Sequence, residues 1–99
     1  MLLRAEIAAR LATVEDPELR CDIVALGLIY NIEVVNQQAI ITLTWTMLGC
    51  PLTDLLEKRI RRAVLASSAI ELVALRVVWT PRWHKDMMTP YAKMLLGVK

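Results

Sequence analysis

Cys50 is the residue of this chain best placed to do chemistry. It lies in the stretch Thr44-Trp45-Thr46-Met47-Leu48-Gly49-Cys50-Pro51, where a β-patterned run gives way to the start of an amphipathic helix. Unpaired N–H groups in a first helical turn, together with the positive end of the helix dipole, favour a thiolate over a thiol. A thiolate binds soft metals and attacks electrophiles. The sequence therefore predicts a metal ligand or a nucleophile here, with a small buried hydrophobe as the structural alternative.

Two pairs of polar side chains are candidates for shaping such a site. Thr44 and Thr46 fall on the same face of the predicted strand, so their hydroxyls could bond a sulfur or order the loop that follows. Threonine is also simply a common strand residue. Asp16 and Glu18 flank a proline and could act as an acid–base pair. The same sequence is equally typical of a turn followed by a capped helical start, which is the interpretation we favour.

Three further residues carry weaker signals. Trp83 could form an apolar wall that shelters a thiolate, or it could pack in the core together with Trp79. His84 could be a ligand or a proton carrier, although a single histidine in a loop is more often a surface residue. Cys21 stands just before an apolar run, and we expect it to be a structural thiol.

Composition limits the classes of protein that this chain can belong to. With 99 residues, of which 57% are hydrophobic, it has the length for one domain with one core, spanning residues 1–99. No apolar run approaches the roughly 20 residues of a membrane-spanning helix. The net charge of +2 gives no indication of nucleic-acid binding. Two cysteines without a secretion signal predict free thiols in a reducing, cytoplasmic compartment.

The first half of the chain predicts a helix followed by a hairpin. Apolar residues recur at helical spacing from Leu3 to Val14, and Asp16-Pro17 should stop this helix. Alternating patterns from Leu28 to Val35 and from Ala39 to Thr46 predict two strands. The short connection at 36–38 makes them an antiparallel pair.

The second half predicts a helix, a strand and a short helix. After Pro51, a buried helical stripe is expected at Leu52, Leu55, Leu56, Ile60, Ala63 and Val64. The segment from Glu71 to Trp79 predicts a third, largely buried strand, and Thr89-Pro90 should begin a helix that ends at Gly97. The order αββαβα indicates an α+β domain in which helices cover a three-stranded mixed sheet.

Several motifs together resemble a known family. They are Asp16-Pro17-Glu18-Leu19, Ile23-Val24, Leu26-Gly27-Leu28-Ile29-Tyr30, Thr44-x-Thr46, Gly49-Cys50-Pro51 and Trp79-Thr80-Pro81-Arg82-Trp83. In this order and spacing they resemble the small iron–sulfur cluster assembly domain of the SufT and PaaD proteins, which is related to the eukaryotic cytosolic cluster-targeting factor. One departure is Ala25, which stands where the family commonly has an aspartate.

The resemblance implies an accessory role in maturing iron–sulfur proteins, with Cys50 as the functional cysteine and without a catalysed reaction on a metabolite. One cysteine cannot supply four cluster ligands, so we expect a labile iron or iron–sulfur cluster and no permanently bound cofactor. The expected partners are assembly proteins, client apoproteins or a second copy of the chain, and neither nucleic acid nor a membrane. Two alternatives stay open. They are a partner-binding adaptor without metal and a small thiol-dependent enzyme with Cys50 as nucleophile, assisted by His84.

Overall fold

A computed structural model describes residues 2–17, 19–45 and 53–97, and for Leu2 the backbone alone. Its elements are helix α1 (Leu2–Leu11), strands β1 (Ile29–Val35) and β2 (Gln38–Leu43), helix α2 (Thr53–Leu65), strand β3 (Leu72–Val77), a 3-10 turn (Lys85–Met87) and helix α3 (Pro90–Leu96). The predicted α+β fold with a three-stranded mixed sheet is confirmed. None of the helices in these ranges is long and apolar enough to cross a membrane.

The sheet has the order β1-β2-β3, so β2 is its central strand. β1 pairs with β2 in antiparallel fashion, from Ile29 opposite Leu43 to Val35 opposite Gln38. The turn is therefore two residues long, and Asn36 takes a left-handed conformation there with φ 57°. β3 runs parallel to β2, as the helical crossover through α2 permits.

The core lies between one face of the sheet and the helices. Every second residue of β2 is buried, at Ala39, Ile41 and Leu43, as the period of a strand requires. α1 contributes Ile7 and Leu11, and α2 contributes Leu56, Ile60 and Val64 at helical spacing. α3 is attached through the buried Ala92 and the partly buried Leu96.

Three predictions about burial and length are wrong. α1 ends at Leu11, well before Asp16, because the Thr13 hydroxyl donates to the Arg10 carbonyl at 2.6 Å and the backbone tightens into a turn. β3 is an edge strand rather than a buried one, and its Leu72 is 63% exposed. Trp79 lies beyond the end of β3 and is 43% exposed, so it does not fill the core.

The predicted stripe of α2 needs one correction as well, and its Leu52 lies outside the described residues. Leu55 is exposed, because it is rotated about 100° around the helix axis from Leu56 and further from Ile60. The predicted α3 is confirmed. The Thr89 hydroxyl accepts the Ala92 N–H, Pro90 is the first helical residue, and Gly97 ends the helix with φ 70°.

Candidate functional site

Cys50 itself lies outside the described residues, together with Thr46, Gly49 and Pro51. The structure describes the two elements on either side of the connection that contains Cys50. β2 ends at Leu43 on one side, and α2 begins at Thr53 on the other. Glu18 also lies outside the described residues. The predicted roles of these five residues therefore remain predictions.

Thr44 is the polar residue at the entrance to this connection. It is fully buried, and its backbone N–H donates to the Leu28 carbonyl at 2.9 Å. Within ranges 2–17, 19–45 and 53–97, no group forms a hydrogen bond with its hydroxyl. Trp45, the next residue, is also buried. The chain thus leaves β2 from inside the core, with a buried hydroxyl at the point where the connection begins.

Asp16 organises a tight turn. Its Oδ1 accepts the Leu19 N–H at 3.0 Å, its N–H donates to the Cys21 carbonyl at 3.0 Å, and its carbonyl accepts the Arg20 N–H at 2.7 Å. Arg20 adopts a left-handed conformation with φ 54°. These bonds give the carboxylate of Asp16 a structural part in the turn between α1 and the core.

Cys21 is the cysteine whose surroundings the structure describes. Cys21 is 2% exposed and free of any disulfide. Burial raises the pKa of its thiol, and the neighbouring Asp22 carboxylate raises the pKa further. A thiol in this state is a poor ligand and a poor nucleophile at neutral pH. Cys21 therefore has the structural character that we expected, and it offers a matched control for Cys50.

Trp83 connects the segment after β3 to Leu26 through a hydrogen bond. Its side chain is partly buried, and its indole N–H donates to the Leu26 carbonyl at 2.7 Å. His84, the next residue, is exposed, and its Nδ1 accepts the Asp86 N–H at 3.2 Å. Through this bond the His84 imidazole caps the start of the 3-10 turn.

Sequence patterns gave no sign of the contacts that hold residues 81–89, which we call the strap, against residues 25–30. The Tyr30 hydroxyl donates to the Pro81 carbonyl at 2.8 Å, and the Thr89 N–H donates to the Ala25 carbonyl at 2.9 Å. Gly27, with φ 78°, lies so close to the strap that a Cβ on it would overlap the Met87 carbonyl oxygen. In the sequence, the position of Gly27 within a Leu-Gly-Leu motif was the only feature that marked it as unusual.

Ala25 can be placed in the same region. Its side chain is 7% exposed, and its N–H donates to Asp22 Oδ1 at 2.8 Å. In this chain the carboxylate that bonds in this turn belongs to Asp22. Among the residues that the structure describes, no three His, Cys, Asp or Glu side chains form a group that could hold a metal ion.

Comparison with known proteins shows what kind of chain this is. The model of the iron–sulfur cluster assembly protein family matches residues 4–75. The chain belongs to this family. The match covers the Asp16 turn, the Leu-Gly-Leu motif and the whole connection around Cys50.

Relatives and a solved structure agree with this assignment. The Fe-S protein maturation auxiliary factor YitW of Bacillus subtilis is 36% identical over 98 residues, which cover 98% of this chain and 96% of that protein. The Fe-S protein maturation auxiliary factor SufT of Staphylococcus aureus is 38% identical over 84 residues, which cover 84% of this chain and 96% of that protein. A crystal structure of a domain of unknown function from Bacillus anthracis matches with a TM-score of 0.92 at 34% identity, covering 99% of this chain and 94% of that one.

Proposed function

We propose that this protein is an accessory factor in iron–sulfur cluster maturation, and that Cys50 is a transient ligand for iron or a cluster on its way to client proteins. The observation that carries the proposal is the family match over residues 4–75, which includes Cys50 and its flanking motifs. Two relatives that align with most of this chain are named Fe-S protein maturation auxiliary factors, which supports the same role.

The position of Cys50 suits a ligand that must bind and then release its cargo. In the sequence it precedes Thr53, where α2 begins, by three positions, and we infer that the helix dipole favours its thiolate. Iron–sulfur clusters are held by several thiolates, so one cysteine leaves ligand positions for another donor. We infer that a partner protein, a small thiol or a second copy of this chain supplies those ligands. The cluster is therefore cargo that passes through the site.

We infer a positioning role for Thr44, whose buried hydroxyl has no hydrogen-bond partner among the described residues. A buried hydroxyl without a hydrogen bond costs about 1–3 kcal/mol, so such groups normally have partners. We infer that the hydroxyl of Thr44 bonds to the connection at 46–52 and holds its first residues in one conformation. Through this bond Thr44 would position the cysteine without touching the cargo.

The thiol-enzyme alternative needs a base beside Cys50, and His84 is a poor candidate for it. Its Nδ1 already accepts a backbone N–H from Asp86, and its side chain is exposed. The adaptor alternative makes a different prediction, because it requires no thiol. Replacing Cys50 therefore separates the cargo-ligand role from the adaptor role.

Complementation tests the proposal. A bacterium that lacks its own family member would receive this chain, and the activity of an enzyme that depends on a four-iron cluster would be measured in extracts. We expect rescue by the wild type and by Cys21→Ala, whose thiol is buried and outside the proposed site. We expect no rescue by Cys50→Ala or Cys50→Ser. Full rescue by Cys50→Ser would favour the metal-free adaptor, and no rescue by the wild type would contradict the accessory role.

A further inference from the structure

Helix α2 carries a concentration of positive charge on its exposed side. Within five consecutive positions it presents Lys58, Arg59, Arg61 and Arg62, all of them exposed. Two of these side chains bond to backbone oxygens. Arg59 donates to the Glu15 carbonyl at 3.4 Å, and Arg61 donates to the Val73 carbonyl at 2.7 Å. No ion pair within ranges 2–17, 19–45 and 53–97 involves any of the four.

The helix dipole accounts for only part of this charge. A favourable interaction between a basic side chain and the dipole is limited to the last turn of a helix. α2 runs from Thr53 to Leu65, so Lys58 and Arg59 lie in its middle. Asp54 lies one turn before Lys58, at the spacing of a stabilising pair, yet the two side chains do not form an ion pair. Arg62 lies in the last turn, where the dipole favours it, but neither Lys58 nor Arg62 has an ion-pair partner among the described residues.

Exposed apolar side chains lie beside Lys58 and Arg62. These two residues are one helical turn apart and therefore lie on one side of α2. Leu55 and Leu65 border them and are 38% and 45% exposed. Beside Arg62 lies a groove of about 420 Å³, whose walls come from α2 and from residues 13–15. We define the basic face of α2 as Leu55, Lys58, Arg59, Arg62 and Leu65.

We propose that the basic face of α2 is a docking surface for an acidic, amphipathic segment of a protein partner. Arginine pairs with carboxylates through two parallel hydrogen bonds, which favours glutamate or aspartate side chains as the recognised groups. The two half-exposed leucines would contact apolar residues of the same segment. That this partner takes part in cluster maturation rests on the proposed function, but the docking itself does not require Cys50 or iron.

Charge and composition favour a protein over a nucleic acid or a membrane. Leu55 and Leu65 can contact apolar side chains of a protein segment, whereas a phosphate backbone offers them no apolar partner. No aromatic residue belongs to the basic face, so it offers no surface on which a base could stack. The basic face also lacks the aromatic side chains that are typical of helices anchored at a lipid interface.

A binding assay with a defined probe tests the docking surface. The probe is a dye-labelled helical peptide of about 15 residues in which glutamates occupy one side and leucines the other. Its affinity for the full chain would be measured by fluorescence anisotropy at low and high salt. The charge-reversed variant is Lys58→Glu with Arg62→Glu, and Lys58→Gln with Arg62→Gln is the milder second variant. The matched control is Arg76→Glu with Arg82→Glu, which changes the same charge at exposed positions outside α2.

We expect charge reversal to weaken peptide binding by about tenfold or more, and the glutamine variant by several-fold, because rim charges act through screened attraction. The Arg76/Arg82 control and Cys50→Ala should bind as the wild type does. Equal losses in the α2 variants and the control would overturn the proposal, as would absence of wild-type binding.

Two competing ligands complete the assay. Tighter binding of oligothymidine, or of phosphatidylserine vesicles, through Lys58 and Arg62 would overturn the assignment to a protein segment. Because the readout needs neither iron nor a cluster, failure of peptide binding would leave the result of the complementation assay intact. Failure of complementation would likewise leave the peptide result intact.

Discussion

Gly27 is the position at which the structure makes its sharpest quantitative prediction. Its φ of 78° belongs to the left-handed region, where an alanine costs about 1–2 kcal/mol. A Cβ there would also overlap the Met87 carbonyl oxygen, a backbone atom that cannot turn aside as a side chain can. Gly27→Ala must therefore push the strap away from residues 25–30.

The hydrogen bonds beside Gly27 determine how much stability Gly27→Ala should lose. The Trp83 indole N–H bonds to the Leu26 carbonyl at 2.7 Å, and the Thr89 N–H bonds to the Ala25 carbonyl at 2.9 Å. Losing each bond costs about 1 kcal/mol. Added to the backbone strain, Gly27→Ala should lower the free energy of unfolding by about 3–4 kcal/mol. This is a large part of the roughly 5–15 kcal/mol that stabilises a small domain.

Gly97→Ala is the matched control for this prediction. Gly97 has nearly the same conformation, with φ 70°, but an added Cβ would meet no atom within 4 Å. The substitution should therefore cost only the backbone strain of about 1–2 kcal/mol. Urea unfolding followed by circular dichroism would give both free energies. Equal losses in the two variants would refute the inference that the strap presses directly on Gly27.

Three other predictions follow from individual contacts. Trp83→Phe should lower the free energy of unfolding by about 1–2 kcal/mol, measured in urea, because the Leu26 carbonyl loses its donor. Thr44→Val should lower the reactivity of Cys50 toward iodoacetamide in a Cys21→Ala background, whereas Thr44→Ser should preserve it; a stabilised Thr44→Val with unchanged reactivity would contradict the inferred bond. The Glu6 carboxylate has its pKa lowered from the ordinary 4.5 by a hydrogen bond with the Ser67 side chain and then by Arg10. Glu6 therefore binds a proton less readily in the folded state than in the unfolded state. The ionised Glu6 stabilises the fold above pH 4.5, and this stabilisation is lost as the pH falls below that value. Glu6→Gln should therefore make acid unfolding less steep.

The elements that the sequence predicted correctly are those with strong periodic patterns. The hairpin, α2 and the Thr89–Gly97 helix rest on alternation, a helical stripe and cap residues, which depend only on near neighbours in the chain. β3 shows where such patterns fail. Its apolar residues are the same whether the strand is central or at an edge, so the exposure of Leu72 follows from sheet order alone.

The candidate site could be predicted only in part. Residue type and position predicted roles for Thr44 and Cys50; the role of Cys50 stays a prediction, and the burial of Thr44 agrees with a role at the entrance to the connection. The strap could not be predicted, because its bonds join residues such as Leu26 and Trp83 that are far apart in sequence. The basic face of α2 was visible as a charge run, but the structure was needed to show that its side chains form no ion pair with any other described residue.

Anaerobic reconstitution tests the cargo-ligand role of Cys50 itself. Purified wild type, Cys50→Ala and Cys21→Ala would be treated with iron and sulfide, and the visible absorption and oligomeric state of each would be compared. We predict cluster absorption in the wild type and in Cys21→Ala, and none in Cys50→Ala. A cluster that forms equally well in Cys50→Ala, or in none of the three proteins, would contradict the assignment of Cys50 as a ligand.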